Sequence, residues 1–133
     1  IIPFSAISLL GVTTLLGMYV GFGTVSSPGI TGITNPLIFS APRNGTLNNL
    51  YISLPGGIGI PALGNLVATI YRFPGGVGPA TITPLAVTII AGNFTGNNTV
   101  NSVSVTAGDG IGLFISSSTV LLATALAGGV QFT

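Results

Sequence analysis

Very few side chains in this sequence could take part in chemistry. Three residues are charged at neutral pH, Arg43, Arg72 and Asp109, and the chain has no His, Lys, Cys or Glu. General acid–base catalysis needs titratable groups placed together, and a serine nucleophile needs a neighbouring base. One carboxylate and two arginines supply neither arrangement. The sequence therefore predicts a protein that is not an enzyme and has no catalytic residues.

The same shortage argues against metal and cofactor sites. Calcium sites gather several carboxylates and thiolate sites need cysteine, whereas this chain has one Asp and no Cys. Residues 56–59 and 75–78 are glycine-rich. Neither stretch is followed by the helix start or the basic residue that phosphate-binding loops use. We therefore expect loops at both places, no metal site and no cofactor.

Asp109 is the one acidic side chain that an arginine could pair with. It lies in the sequence Ala-Gly-Asp-Gly at residues 107–110, which is typical of a hairpin turn. Arg43 lies in a second turn sequence, and its plainest interpretation is a solvated side chain. Arg72 shares a predicted strand face with apolar residues, so its stem could pack while its head reaches the rim. The sequence predicts a structural ion pair and leaves both arginines open as the partner.

The composition implies an unusual surface for a protein in water. Soluble domains carry about 25% charged residues, whereas this chain has 2% and a net charge of +1. The chain is therefore expected to lie in a membrane, to be covered by partners, or to belong to an insoluble coat. The low charge gives no reason to expect nucleic acid. Gly and Pro interrupt every apolar stretch before it reaches the roughly 20 residues that a membrane-spanning helix needs. We therefore expect no membrane partner. An outer-membrane β-barrel, which crosses with strands, is the third of the three functions that we consider.

The alternation of apolar and polar residues predicts an all-β chain. Short runs with a two-residue period are separated by Gly, Pro and Asn, which indicates about eight to ten antiparallel strands in a single domain over residues 1–133. This pattern is typical of a sandwich, with a jelly roll as the leading candidate. Residues 85–91 and 120–126 read as strands that are apolar on both faces, and no lysine protects the strand edges. Both features predict that neighbouring copies cover the domain.

Three stretches of the chain are distinctive. The chain opens with Ile-Ile-Pro-Phe-Ser-Ala at residues 1–6, continues with Val-Gly-Phe-Gly at 20–23, and carries Phe-Ser-Ala-Pro-Arg-Asn-Gly-Thr-Leu at 39–47. In this order they resemble the C-terminal domain of BclA-type collagen-like exosporium glycoproteins of spore-forming bacteria. Asn44 stands where that family often has Asp, which puts any charge pairing between this position and Arg43 in doubt.

The resemblance implies a tumour necrosis factor-like jelly roll that forms a homotrimer at the tip of a collagen-like stalk, with the stalk upstream of Ile1. It also implies an extracellular location on the spore surface, in the exosporium or on a spore appendage. We therefore predict a non-catalytic structural head that drives trimerisation and caps a surface filament.

The alternative function is an adhesin or lectin-like receptor-binding head. Glycan binding generally uses carboxylates and stacking aromatic rings, and one Asp, three Tyr and no Trp weigh against it. Asn44, Asn93 and Asn97 each begin an N-glycosylation sequon. We interpret the three sequons as chance matches, because the glycoproteins that the chain resembles are modified chiefly along their stalk.

Overall fold

The structure of the protein is a computed structural model that describes residues 1–6, 18–20, 38–54, 64–90, 92–117 and 125–133. In these ranges the chain is almost entirely β-structure, with one short 3-10 turn at Pro74–Gly76. The strands are β1 (Ile2–Ala6), β2 (Met18–Val20), β3 (Phe39–Ser40), β4 (Gly45–Ser53), β5 (Asn65–Phe73), β6 (Thr81–Ile90), β7 (Thr95–Val105), β8 (Gly110–Ser117) and β9 (Leu126–Phe132).

The strands form two antiparallel sheets. The four-stranded sheet has the order β1-β9-β4-β7, and the five-stranded sheet has the order β2-β8-β5-β6. The short strand β3 pairs with the start of β8 and completes the five-stranded sheet. The prediction of an all-β sandwich of antiparallel strands is confirmed, and the strand order is compatible with a jelly roll.

An aliphatic core fills the space between the sheets. Alternate residues of β5 and β8 point inward, and Ile70 and Leu113 are fully buried at neighbouring positions in the middle of the five-stranded sheet. From the four-stranded sheet, Leu47, Leu50 and Ile52 of β4 meet them. The two-residue period of these strands follows from side chains that alternate between the faces of a pleated strand.

Two strand boundaries differ from the prediction. The Gly and Pro residues of 74–84 predict a loop, and the Asn-rich stretch 92–98 predicts a turn region, yet β6 begins at Thr81 and β7 begins at Thr95. Both strands lie at the edge of a sheet. An edge strand tolerates Pro84 because one side of its backbone has no strand neighbour to bond with. The polar residues of β7 are likewise acceptable because they face solvent.

The strand predicted at 85–91 buries only one of its two faces. Leu85, Val87 and Ile89 are buried in the core, while Thr88 and Ile90 on the other face are exposed. β6 therefore leaves two large apolar side chains exposed among its described residues, Ile90 in this stretch and Ile82 before it. The second such strand, predicted at 120–126, lies outside the described residues except for its end. The sequence also predicts loops at 25–34 and 56–59 and a strand at 17–23. Both loops lie outside the described residues, as does most of that strand.

The sheet edges are protected without lysine. Pro3 interrupts the donors of β1, and β3 is two residues long. Pro84 lies within β6, and the pairing of β7 with β4 shifts register near Asn98. Proline, short strands and bulges are recognised ways to stop an edge from accepting another strand. These features disfavour the pairing of a further strand with the described sheet edges.

Candidate functional site

The ion pair predicted for Asp109 forms with Arg72. Arg72 Nε donates to Asp109 Oδ2 at 2.7 Å, and the Asp109 side chain is 4% exposed. The backbone N–H of Thr106 donates to the same oxygen at 2.8 Å, and that of Gly75 donates to Oδ1 at 3.0 Å. One carboxylate therefore joins the end of β5, the 3-10 turn and the turn between β7 and β8.

The same contacts determine the protonation state of the Asp109 carboxylate. Hydrogen bonds from Thr106 and Gly75, and then from Arg72, lower the pKa of Asp109 from its ordinary value of 3.8 to about 2. At neutral pH the group is ionised and both of its oxygens accept hydrogen bonds within the fold. This arrangement is suited to holding two turns together, and it offers no proton for acid–base chemistry.

Arg43 lies at another place in the sandwich. Its guanidinium carbon is 4.8 Å from the centre of the Phe132 ring, and its Nη1 donates to the carbonyl of Asn44 at 3.1 Å. A guanidinium at this distance from an aromatic face makes a favourable cation–π contact. The exposed Arg43 thus covers the end of β9, and the two arginines of the sequence have different structural roles.

The outer face of the five-stranded sheet carries a cluster of four aromatic rings. The cluster comprises Tyr19, Tyr71, Phe73 and Phe114, and the Tyr19 ring lies 5.2 Å from Phe114 and 5.8 Å from Phe73. Gly112 lies below the Tyr19 ring, where a Cβ would come within 3.0 Å of Tyr19 Cε1. The cluster ties the short β2 to the two central strands, since each aromatic pair contributes about 0.5–1.5 kcal/mol.

Burial also changes the chemistry of Tyr19. Its side chain is 1% exposed. Desolvation, and secondarily the charge of Tyr71 when ionised, raises the pKa of Tyr19 from 10.0 to about 12. The sequence analysis did not identify this cluster. Aromatic residues at alternate positions 71 and 73 are a signal for it, but Tyr19 and Phe114 are distant in sequence and join them only through strand register.

A cleft lies on the outer face of the four-stranded sheet. It has a volume of about 420 Å³, and its lining residues are Ile1, Asn49, Tyr51, Gly128, Gly129, Val130 and Gln131. Tyr51 is 50% exposed and Ile1 is 90% exposed. Glycines along β9 leave the floor of the cleft without side chains. The lining contains no charged side chain, and among the lining residues only Ile1 carries a charge, on its α-amino group.

A β-bulge shapes the rim of the cleft. Asn49 has a φ of 51°, and the register of β4 with both neighbouring strands shifts between Asn48 and the residues that follow. Asn49 Nδ2 donates to Gln131 Oε1 at 2.5 Å. Bulges turn a side chain away from the regular pleat and occur beside binding sites. Here the bulge places an amide pair next to the half-exposed ring of Tyr51.

Other features noted in the sequence have ordinary places in the structure. Asn44, Asn93 and Asn97, which begin the sequons, are exposed, and Asn44 Oδ1 accepts from the Ala107 N–H at 2.9 Å. The glycine-rich stretch at 75–78 forms the 3-10 turn and its end, where Gly75 and Gly76 have positive φ. The other such stretch, 56–59, lies outside the described residues.

The described ranges contain no cluster of three or more His, Cys, Asp or Glu side chains that could hold a metal ion. In the same part of the chain we find no helix with the length and apolar character that crossing a membrane requires. No protein-family model, curated protein or solved structure was found to match the chain. The resemblance to exosporium glycoproteins therefore stays a prediction.

The two shifted pKa values predict the pH profile of stability. Asp109 is more acidic in the folded chain, so its contribution is complete above pH 4 and is lost as pH falls towards 2. Tyr19 is less acidic in the folded chain, so its contribution is complete below pH 10 and is lost as pH rises towards 12. Between about pH 5 and 9 we expect a nearly constant melting temperature, because these two groups do not titrate there.

The profile is measured by thermal unfolding at a series of pH values. Asp109→Asn should remove most of the acidic decline, and Tyr19→Phe should weaken the alkaline decline while leaving the acidic one. A melting temperature that changes by more than about ten degrees between pH 5 and 9 would contradict the expectation that no other group contributes.

Proposed function

We propose that the chain is a non-catalytic head domain that forms a homotrimer and caps a filament on the surface of a bacterial spore. The observation that carries the proposal is the outer face of the four-stranded sheet. None of the three charged residues of the chain lies in the strands of this sheet. The face exposes half of Tyr51 beside an open cleft. Such a surface suits another copy of the same chain better than water.

The position of the N-terminus supports this choice of face. Ile1 borders the cleft, and β1 lies next to β9 in the four-stranded sheet. A collagen-like stalk would bring three chains together on one axis. The three heads would then meet through surfaces close to their first residues. A trimer built on the four-stranded sheet satisfies this requirement.

The fold supports the same proposal. A jelly roll has two sheets in which the first and last strands are neighbours, and the order β1-β9-β4-β7 opposite β2-β8-β5-β6 fits this arrangement. We infer that it is of the tumour necrosis factor-like kind, as the resemblance implies. The protected edges favour contact through faces, and contact through faces around an axis closes after a fixed number of copies.

Burial of a standard interface is large enough to hold the trimer together. Such an interface covers about 800 Å² per partner, of which about 60% is apolar. At about 25 cal/mol per Å² of apolar area this amounts to about 12 kcal/mol per partner before the costs of association. Lost translation and ordered side chains offset much of this gain. A surface without charged groups keeps these costs low, since no ion has to leave water.

The native mass tests this proposal. Light scattering on the purified chain without detergent is expected to give a mass near three times 13.2 kDa. On dilution, loss of the trimer and loss of folded structure should coincide, because folding and association are coupled in obligate oligomers. A monodisperse, folded monomer at micromolar concentration would contradict the proposal.

A second candidate function is an adhesin or lectin-like head. The cleft combines the exposed ring of Tyr51 with the amide pair of Asn49 and Gln131. An aromatic face and neutral amides are groups that can contact an uncharged sugar. Calorimetric titration with neutral oligosaccharides tests this function. Saturable binding that Tyr51→Ala removes without a change in native mass would favour it over the trimeric head.

A further inference from the structure

The edge strands of the two sheets approach each other along one side of the sandwich. Strand β6 ends the five-stranded sheet and β7 ends the four-stranded sheet. At Gly96 of β7, a Cβ would lie 2.5 Å from Val87 Cγ1 and 3.3 Å from Ile89 Cγ1. Glycine therefore allows β7 to lie directly against β6. This side of the sandwich contains two long strands, each with a row of backbone groups facing away from its own sheet.

The side chain of Asn98 connects the two edges. Its Nδ2 donates to the backbone carbonyl of Ala86 on β6 at 2.9 Å. Its Oδ1 accepts from the N–H of Val100 at 3.1 Å and from the N–H of Asn101 at 3.0 Å. One amide thus makes three backbone hydrogen bonds, one to the other sheet and two to its own strand.

These bonds occupy backbone groups that the edges of β6 and β7 could otherwise use to pair with a strand of another chain. The donor to Ala86 comes from the opposite sheet, so the carbonyl is bonded from the side of β6 away from β5. The N–H groups of Val100 and Asn101 point at the Asn98 side chain within the bulge of β7. A strand added to either edge would have to displace these bonds.

The segment of β6 that accepts the Asn98 hydrogen bond is prone to aggregation if its edge is exposed. Residues 85–90 read Leu-Ala-Val-Thr-Ile-Ile, with no charge, proline or glycine. Six-residue segments of high β-propensity and low charge are the signature of cross-β stacking. Ile90 on this strand is 58% exposed. Lysine, which protects many such edges, is absent from this chain, and the proline of β6, Pro84, lies just before this segment.

We propose that Asn98 determines how this domain associates, because its amide closes the free edges of β6 and β7 and prevents either from pairing with a strand of a second copy. The role is separate from the proposed trimer, which uses the face of the four-stranded sheet. It applies to the native chain whatever its number of copies.

Asn98→Ala tests the proposal, with Asn93→Ala as the matched control at an exposed position in the turn between β6 and β7. The Asn98 variant should fold, as circular dichroism reports, and then grow slowly into assemblies larger than the native form. Fibre diffraction from these assemblies should show the spacing of about 4.7 Å between strands. Asn93→Ala should keep the native mass. If Asn98→Ala does not fold, Asn98→Ser is used, since its short side chain can still accept from β7 but cannot reach Ala86.

Two further variants show whether the Asn98 variant assembles because its strand edges are exposed or because the domain is less stable. Thr88→Lys places a charge on the exposed face of β6, so it should suppress the assembly of the Asn98 variant without restoring its hydrogen bonds. Leu66→Ala lowers stability from the core of β5 and should not produce the cross-β form under the same conditions. The proposal is overturned if the folded Asn98 variant keeps the native mass. It is equally overturned if Thr88→Lys has no effect or if Leu66→Ala assembles in the same way.

Discussion

Replacing Leu113 by alanine should lower the free energy of unfolding by about 3–5 kcal/mol. Leu113 is fully buried in β8, where it pairs with Val20 on one side and with Ile70 on the other. Three bonded strands hold the backbone around it, so the core cannot collapse into the space that the side chain leaves. Domains of this size are stable by about 5–15 kcal/mol. This one substitution would therefore remove a large share of the stability.

Urea unfolding at one fixed protein concentration measures the effect, since association contributes to the stability of an oligomer. Val77→Ala is the control. Val77 is 94% exposed beside the 3-10 turn, and its truncation should change the free energy by less than about 0.5 kcal/mol. A loss below about 1 kcal/mol for Leu113→Ala would mean that the two sheets do not pack through this residue.

Tyr51→Asp should abolish the native oligomer. In the proposed trimer this ring lies against a neighbouring copy, and the substitution would place three carboxylates in a surface whose lining has no cationic side chain, only the α-amino group of Ile1. Burying an unpaired ion costs several kcal/mol. Because folding and association are expected to be coupled, the variant should appear as unfolded or aggregated chain.

The control for this prediction is Val77→Asp. Val77 is 94% exposed beside the 3-10 turn that follows β5, outside the four-stranded sheet. It adds the same charge outside the proposed interface and should keep the native mass in light scattering. A Tyr51→Asp protein with the native mass and melting temperature would mean that the trimer, if it forms, uses another surface.

Strand identity was predictable from short-range pattern. Alternation in residues 66–70 places Leu66, Ala68 and Ile70 on one face, and all three are buried in the core. This works because side-chain direction in a strand follows from local geometry. The starts of β6 and β7 were not predicted. Pro84 and Asn98 argue against strands on local grounds, and they are accepted because of where these strands lie in their sheets.

The choice between Arg43 and Arg72 shows the limit of local reasoning. Both arginines were candidates for Asp109, and the partner is 37 residues away in sequence. Pairing of β5 with β8 puts Arg72 opposite Ile111, two residues from Asp109. Arg43 is held over Phe132 by the same kind of distant register. No short-range pattern carries that information.

By itself the sequence determined the all-β class, the lack of residues for acid–base chemistry and the shortage of charge from which we predict a covered surface, because these depend on residue type and on spacing over a few positions. Tertiary structure decided which arginine meets Asp109, how four aromatic rings gather around Tyr19, where the Tyr51 cleft opens and how Asn98 bridges two sheets. Each of these depends on strand order and register. Register is set by contacts between residues that lie far apart in the chain.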